Sequence, residues 1–192
     1  MKISVALAAY NGEKYIGEQI ESILPQLGRD DEIVVSDDNP AGKTRAAVGF
    51  YSAYDGRVRY VEGTGEGICR NFENAILNCS GDVIFLCDQD DVWLPNKVER
   101  VMKAIENGAD VVLHDAMMTD GELNVTDESF FSLNGSKRGF VRNLLKNSYM
   151  GCCMAFRRDF EPAFMPFPKN LAMHDWWIGL NAELKGKVEF IY

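Results

Sequence analysis

Five short, nearly continuous apolar runs, separated by stretches of helical periodicity, constrain this chain more than any other feature. The runs are Ile3-Ser4-Val5-Ala6-Leu7-Ala8, Glu32-Ile33-Val34-Val35-Ser36, Val58-Arg59-Tyr60-Val61, Val83-Ile84-Phe85-Leu86-Cys87 and Val111-Val112-Leu113. Short runs without strict alternation suit strands covered on both faces, as parallel strands are. Between them apolar residues return at helical spacing. One set is Ile16, Ile20, Ile23, Leu24 and Leu27, with Pro25 disturbing its end, and another is Ala47, Phe50, Tyr51 and Tyr54. Phe72, Ala75, Ile76 and Cys79 follow, then Val98, Val101, Met102 and Ile105. This alternation predicts an α/β, Rossmann-like, mostly parallel sheet flanked by helices. A chain of 192 residues makes one such domain the natural expectation.

In sheets of this kind ligands sit beyond the carboxyl ends of the strands. The first run surfaces at Ala9-Tyr10-Asn11, the second at Asp37-Asp38-Asn39, and the fourth at Asp88-Gln89-Asp90-Asp91. Two unit charges about 4 Å apart repel by roughly 4 kcal/mol at an effective dielectric near 20. That is a sizeable fraction of a typical domain stability of about 5–15 kcal/mol. A hard divalent cation relieves such crowding and bridges to substrate phosphates. The bland reading is a solvated loop in which Asp91 caps a helix beginning near Pro95, with Tyr10 a rim aromatic and Asp37-Asp38-Asn39-Pro40 an ordinary turn. Because three strand ends converge on one rim, the metal–phosphate pocket is the better reading.

A formal net charge of -9 argues against a general nucleic-acid binder, which needs a basic face. The five cysteines show no metal-ligand spacing, and four of them, within apolar or helical patterns, read as small core residues suited to a reducing cytoplasm. No signal peptide precedes the first run, and no apolar stretch nears the ~18 residues of a membrane span. From Met117 to Arg138 the chain is mostly polar apart from Phe130, Phe131 and Leu133, which suits a long excursion or flap over a functional rim. A helix is expected near Phe140 to Lys146, then an apolar segment from Tyr149 to Phe156, then a short helix opened by His174-Asp175-Trp176-Trp177. Val188-Glu189-Phe190-Ile191-Tyr192 ends the chain inside a strand-like pattern, so a longer native protein is expected.

The segments Ser4 to Ile16, Ile33 to Asp38, Asp88 to Lys97, Gly151-Cys152 and Met173 to Trp177 resemble family 2 glycosyltransferases, inverting enzymes of GT-A fold. They are similar in particular to bacterial rhamnosyltransferase-like members that build surface polysaccharides. The resemblance implies a single GT-A-type domain over residues 1–192, with 1–116 the nucleotide-sugar half and 117–192 the acceptor half. Ala9, Tyr10, Asp38, Arg70 and Asp88 would then bind the nucleotide sugar, with Tyr10 stacked on the base and Asp38 accepting from its ring N–H. Arg70 would reach donor phosphate, with a plain helix-surface position as the alternative. Asp90 would hold Mg2+ or Mn2+, Asp175 would be the catalytic base, and Cys152 and Trp176 would lie at the acceptor. Trp176 and Trp177 also carry the reading that at least one belongs to the core.

The resemblance further implies a dTDP- or UDP-sugar donor and a glycan or lipid-linked acceptor. A cytoplasmic location is expected, with peripheral contact at the inner membrane. The chain departs from the family pattern at Ala9, at Asn39-Pro40 and at Gly63-Thr64-Gly65-Glu66-Gly67. Two rival expectations are a haloacid-dehalogenase-type phosphatase, suggested by Asp88-Gln89-Asp90, and a non-catalytic sugar-nucleotide-binding fragment. The phosphatase pattern places its aspartate nucleophile after the first strand, whereas Asp88 follows the fourth.

Overall fold

The computed structural model describes residues 1–192. The five apolar runs form strands β1 (Ile3–Ala9), β2 (Glu32–Asp37), β3 (Val58–Glu62), β4 (Val83–Asp88) and β5 (Val111–His114). Helices α1 (Ile16–Ile23), α2 (Thr44–Tyr54), α3 (Ile68–Asn78) and α4 (Lys97–Glu106) lie between them. Beyond them come a hairpin of β6 (Met118–Thr119) and β7 (Val125–Asp127) and two short helices, α5 (Phe130–Asn134) and α6 (Phe140–Leu145). Strand β8 (Met154–Arg157), helix α7 (His174–Lys185) and strand β9 (Val188–Ile191) complete the order.

Seven strands form one sheet in the order β3-β2-β1-β4-β8-β5-β9. Strands β1 to β4 are mutually parallel, and β9 is parallel to β5. Strand β8 runs antiparallel to both neighbours, β4 and β5. All seven residues of β1 are buried, as a central strand covered on both faces requires. Val5 and Leu7 point into a layer with Ile16, Ile20 and Val101, while Ala6 and Ala8 face Phe72, Ala75 and Ile76 of α3. The small alanines let α3 come close to the sheet, and α3 carries the residues that tie the strand ends together.

Several local expectations change. The inner face of α2 is Thr44 and Val48, with Ala47 and Tyr51 partly covered, whereas Phe50 and Tyr54 are exposed. Those two rings pack against each other, tilted by 59° with centres 5.0 Å apart, instead of entering the core. Helix α4 begins at Lys97 behind Asn96, a left-handed residue at φ 72, so Asp91 caps nothing. Pro25 converts the end of α1 into a 3-10 turn over Leu24–Gln26. The five cysteines are all free and buried. No helix is long and apolar enough to cross a membrane.

Candidate active site

Parallel pairing aligns the carboxyl ends: Ala9 is opposite Asp37, Asp37 is opposite Glu62, and Ala8 is opposite Asp88. Side chains then lock this rim. Asn71 of α3, buried, donates to the carbonyls of Ala9 at 3.0 Å and Ser36 at 2.9 Å, closing β1 against β2. Gln89 does the same between β1 and β4, since its amide accepts from Tyr10 N–H at 2.9 Å and donates to Tyr10 C=O at 3.0 Å. The Tyr10 ring stays 60% exposed and free to meet a flat ligand. Asp38 is held by the glycine turn before α3. Its two oxygens accept from Gly65 N–H at 2.7 Å and Gly67 N–H at 2.8 Å. Gly67 has φ 92, a left-handed conformation that glycine adopts without a Cβ penalty. Asp37 behind it is fully buried, accepts from the Tyr60 hydroxyl at 3.0 Å, and has its pKa raised by burial.

At the end of β4 the acidic groups meet. One ligating atom each from Asp88, Asp91 and Cys152 lies within 4.8 Å of the others. Burial and then the carboxylates of Asp91, Asp90 and Asp175 push Asp88 up to about 7. Asp91 is also raised by burial, against a hydrogen bond from the Cys152 thiol and the positive charge of Lys97. The Lys97 ammonium donates to the Cys152 carbonyl at 3.0 Å and lies 4.0 Å from the Trp93 ring centre. Asp90, the expected ion ligand, is exposed at the mouth and outside that triangle. Cys152, expected at the acceptor, is buried and turned onto the carboxylates.

Asp175 lies in the first turn of α7, where a carboxylate is favoured by the helix dipole. It is 9% exposed, and burial raises its pKa against hydrogen bonds from the amides of Trp176 and Gly151 and the Asn147 side chain. A 3-10 turn, Gly151–Cys153, links it to the acidic cluster. Within that turn Gly151 lies beside Asp175 and the next residue, Cys152, reaches Asp91. His174 packs flat on Phe72 at 4.1 Å, and burial lowers its pKa to about 4, so the ring is neutral at pH 7.

The remaining expected residues are engaged structurally. Arg70 pairs with Glu73 and donates to the carbonyls of Phe167 at 3.2 Å and Pro168 at 2.8 Å. The Trp176 indole donates to the Asn143 carbonyl, and that of Trp177 to the Phe164 carbonyl at 2.8 Å, with Trp177 packed on the core. The flap of residues 117–138 is partly built of the β6–β7 hairpin. It walls a cavity of about 710 Å³ shared with Asp90, Asp91, Lys97 and Cys152. A depression of about 970 Å³ lies at the opposite end of the sheet, lined by Lys2, Glu32, Arg57 and Arg59 and no hydrophobic residue. Several of its charges are paired with one another, for example Arg59 with Glu32 at 2.9 Å.

Gln89, Asn71, Lys97 and Asn147 brace this rim without a role in the sequence reading, in which Asp91 is one of three crowded carboxylates or a helix cap. Gln89, Asp91 and Lys97 fall inside the Asp88 to Lys97 motif, so their signal was present. Asn71 and Asn147 act through the backbone or another side chain across 62 and 28 positions, which no local spacing reveals.

Known proteins resemble this chain in sequence and in fold. The profile of "Glycosyl transferase family 2" matches residues 4–162. An Escherichia coli relative named UDP-Glc:alpha-D-GlcNAc-diphosphoundecaprenol beta-1,3-glucosyltransferase WfgD is 32% identical over 178 residues, covering 91% of this chain and 68% of its own. The uncharacterized glycosyltransferase alr2836 of Nostoc is 28% identical, covering 67% of this chain and 41% of its own. Among solved structures, S. aureus TarS 1-349 in complex with UDP-GlcNAc superposes with a TM-score of 0.76 at 20% identity, covering 99% of this chain and 56% of that one. The mannosyltransferase PcManGT of Pyrobaculum calidifontis, in complex with GDP-Man and Mn2+, gives 0.73 at 17% identity over 98% of this chain and 54% of that one. At those identities the likeness is one of fold. The chain spans about half the length of most relatives it matches. With three strand ends locked on one acidic rim and the profile covering most of its length, the chain belongs to glycosyl transferase family 2.

Proposed function

We propose that the chain carries out inverting, metal-dependent transfer of a hexose from a nucleoside-diphosphate sugar to a glycan, lipid-linked or polysaccharide. The observation that carries this is the gathering of Asp88, Asp91 and Asp175 from β4, its following loop and α7, with Asp91 and Asp175 close enough to raise the pKa of Asp88. Residues 1–116 form the donor half and 117–192 the acceptor half. Tyr10 offers its exposed ring to the base, and the Ala9 backbone shapes the floor beneath it. Asp38, with two backbone amides already bound, has lone pairs left for the base's ring N–H. Arg70 braces the donor edge through Glu73 and the 167–168 carbonyls.

The residues at the β4 end fit a hard divalent ion such as Mg2+ or Mn2+. They offer carboxylate oxygens, and burial together with their mutual repulsion raises Asp88 to about 7, a cost that a bound cation would relieve. Asp90, exposed at the mouth, and Asp88 would hold the ion against the donor diphosphate, with Asp91 behind them. The ion, when bound, supplies Lewis-acid stabilisation of the leaving diphosphate. Asp175 takes the proton of the acceptor hydroxyl as that oxygen attacks the anomeric carbon from the face opposite the leaving group. A single displacement of this kind inverts the centre. Trp176 lies one residue from that base and offers part of its ring to the acceptor.

A UDP-sugar is the favoured donor, because the E. coli relative is named for UDP-glucose and one fold neighbour holds UDP-GlcNAc. A dTDP-sugar such as dTDP-rhamnose rests on the motif resemblance alone. The acceptor named for the E. coli relative is lipid-linked, which supports work at a membrane surface. Titration calorimetry with UDP, dTDP and GDP, with and without Mn2+, tests the donor half. NMR of the product anomer tests inversion. Nucleotide binding indifferent to Mn2+, or a product of retained configuration, would remove the proposal.

A further inference from the structure

We propose that α6 and the residues leading into it form a docking surface for an anionic phospholipid bilayer. Of the chain's 20 basic side chains, six fall between Ser129 and Arg158, where none of its 29 acidic ones does. Four of the six, Lys137, Arg138, Arg142 and Lys146, are exposed, and none pairs with a carboxylate. In a chain of net charge -9 this is a local reversal of sign. The same segment exposes aliphatic side chains: Val141 by 71%, Leu144 by 51% and Leu145 by 83%. Positions 141, 144 and 145 stand at i, i+3 and i+4, so these three share one helix face. The opposite side is anchored, since Asn143 is fully buried and donates to the carbonyls of Lys137 and Gly139 at 3.0 Å.

An aliphatic stripe beside unpaired cations matches the boundary between acyl chains and anionic headgroups, where apolar burial and counter-charge act together. An acidic protein partner would use the cations but would have to supply its own apolar groove. A bilayer supplies both at once.

The surface is tied to the site. The Trp176 indole donates to the Asn143 carbonyl of α6, and Asp175 is the residue immediately before Trp176. Docking through α6 therefore sets the proposed base at the membrane boundary, where the head of a lipid-linked glycan would lie. In its choice of acceptor this inference rests on the glycosyl-transfer reading. The lipid contact itself needs neither donor nor metal.

Sedimentation with vesicles of phosphatidylcholine, pure or containing one third phosphatidylglycerol, tests it at low salt. The protein should partition to the anionic vesicles and not to the neutral ones. Lys137→Gln with Arg138→Gln should reduce that partitioning about 20-fold or more, on the basis of roughly fivefold per cation. Val141→Ser with Leu145→Ser should reduce it about tenfold. Far-UV circular dichroism and Mn2+-dependent UDP affinity should stay unchanged in both variants. Equal binding to neutral and anionic vesicles, or full anionic binding by either folded variant, would overturn the surface. Vesicle binding without transfer to any glycan would leave the surface standing and sink only the glycosyl-transfer reading.

Discussion

Gly151 lies so close to His174 that a Cβ built on it would stand 2.7 Å from the ring Nε2. The ring cannot swing away, because it is stacked on Phe72 and buried. A methyl group at 151 must therefore push apart the 3-10 turn and the start of α7, the two elements that join Asp91 to Asp175. Gly151→Ala should cost about 1–3 kcal/mol, typical of overpacking, and lower transfer activity as well. Gly49 is the matched control, being interior to α2 with nothing within 4 Å. Gly49→Ala should gain about 0.5–1 kcal/mol through helix propensity. Urea denaturation of the two variants checks both signs.

Asp175 has its pKa raised by burial. Its basic form therefore grows in at higher pH than that of a free aspartate near 3.9. The acid limb of kcat/KM should lie above the ordinary aspartate range, with activity rising as pH rises through it. Asp175→Asn should lower kcat about 10²–10⁴-fold. Calorimetry should show nucleotide affinity preserved, and loss of that affinity would remove the base assignment.

Removal of divalent ions should weaken UDP binding by about tenfold or more, equivalent to ~1.4 kcal/mol. In Asp90→Ala that metal dependence should disappear. Asp91→Ala should weaken it less, because Asp91 lies deeper and is already engaged by the Cys152 thiol. Titrations with Mn2+ and with EDTA decide the order, and equal affinity in Asp90→Ala with and without Mn2+ refutes its role.

Glu32 stabilises the other end of the sheet. Burial alone would raise its pKa, yet the Ser80 and Ser4 hydroxyls, the Ser80 amide and Arg59 outweigh it and hold Glu32 at about 2. A carboxylate whose folded pKa is depressed contributes stability that is full above its unfolded value near 4.5 and is lost as pH falls toward 2. The contribution is roughly 3 kcal/mol at neutral pH. Glu32→Gln should lose about that much at pH 7 and flatten the decline of stability between about pH 5 and 2. Thermal unfolding across that range measures it.

The parallel part of the fold was legible because β1 to β5 are short apolar runs whose burial on both faces leaves a local mark. The ends of β1, β2 and β4 were legible for the same reason, and with them Tyr10, Asp38 and Asp88. Other features left no such mark. Phe50 and Tyr54 have helical spacing with the core positions of α2, but their rings pack against each other, tilted, outside it. The antiparallel course of β8 is a choice of pairing between distant segments, and Met154-Ala155-Phe156 reads the same in either direction.

The amino-acid order by itself determined which segments are strands and which carboxylates stand where strands surface, since period and polarity act over a few residues. Only the tertiary structure decided that Asp91 and Cys152 close on Asp88, that Arg70 is bound by Glu73, and that Gln89 and Asn71 lock the rim. Those contacts join residues far apart in the chain. Their free energy depends on approach, burial and hydrogen-bond geometry that exist only once the sheet has formed.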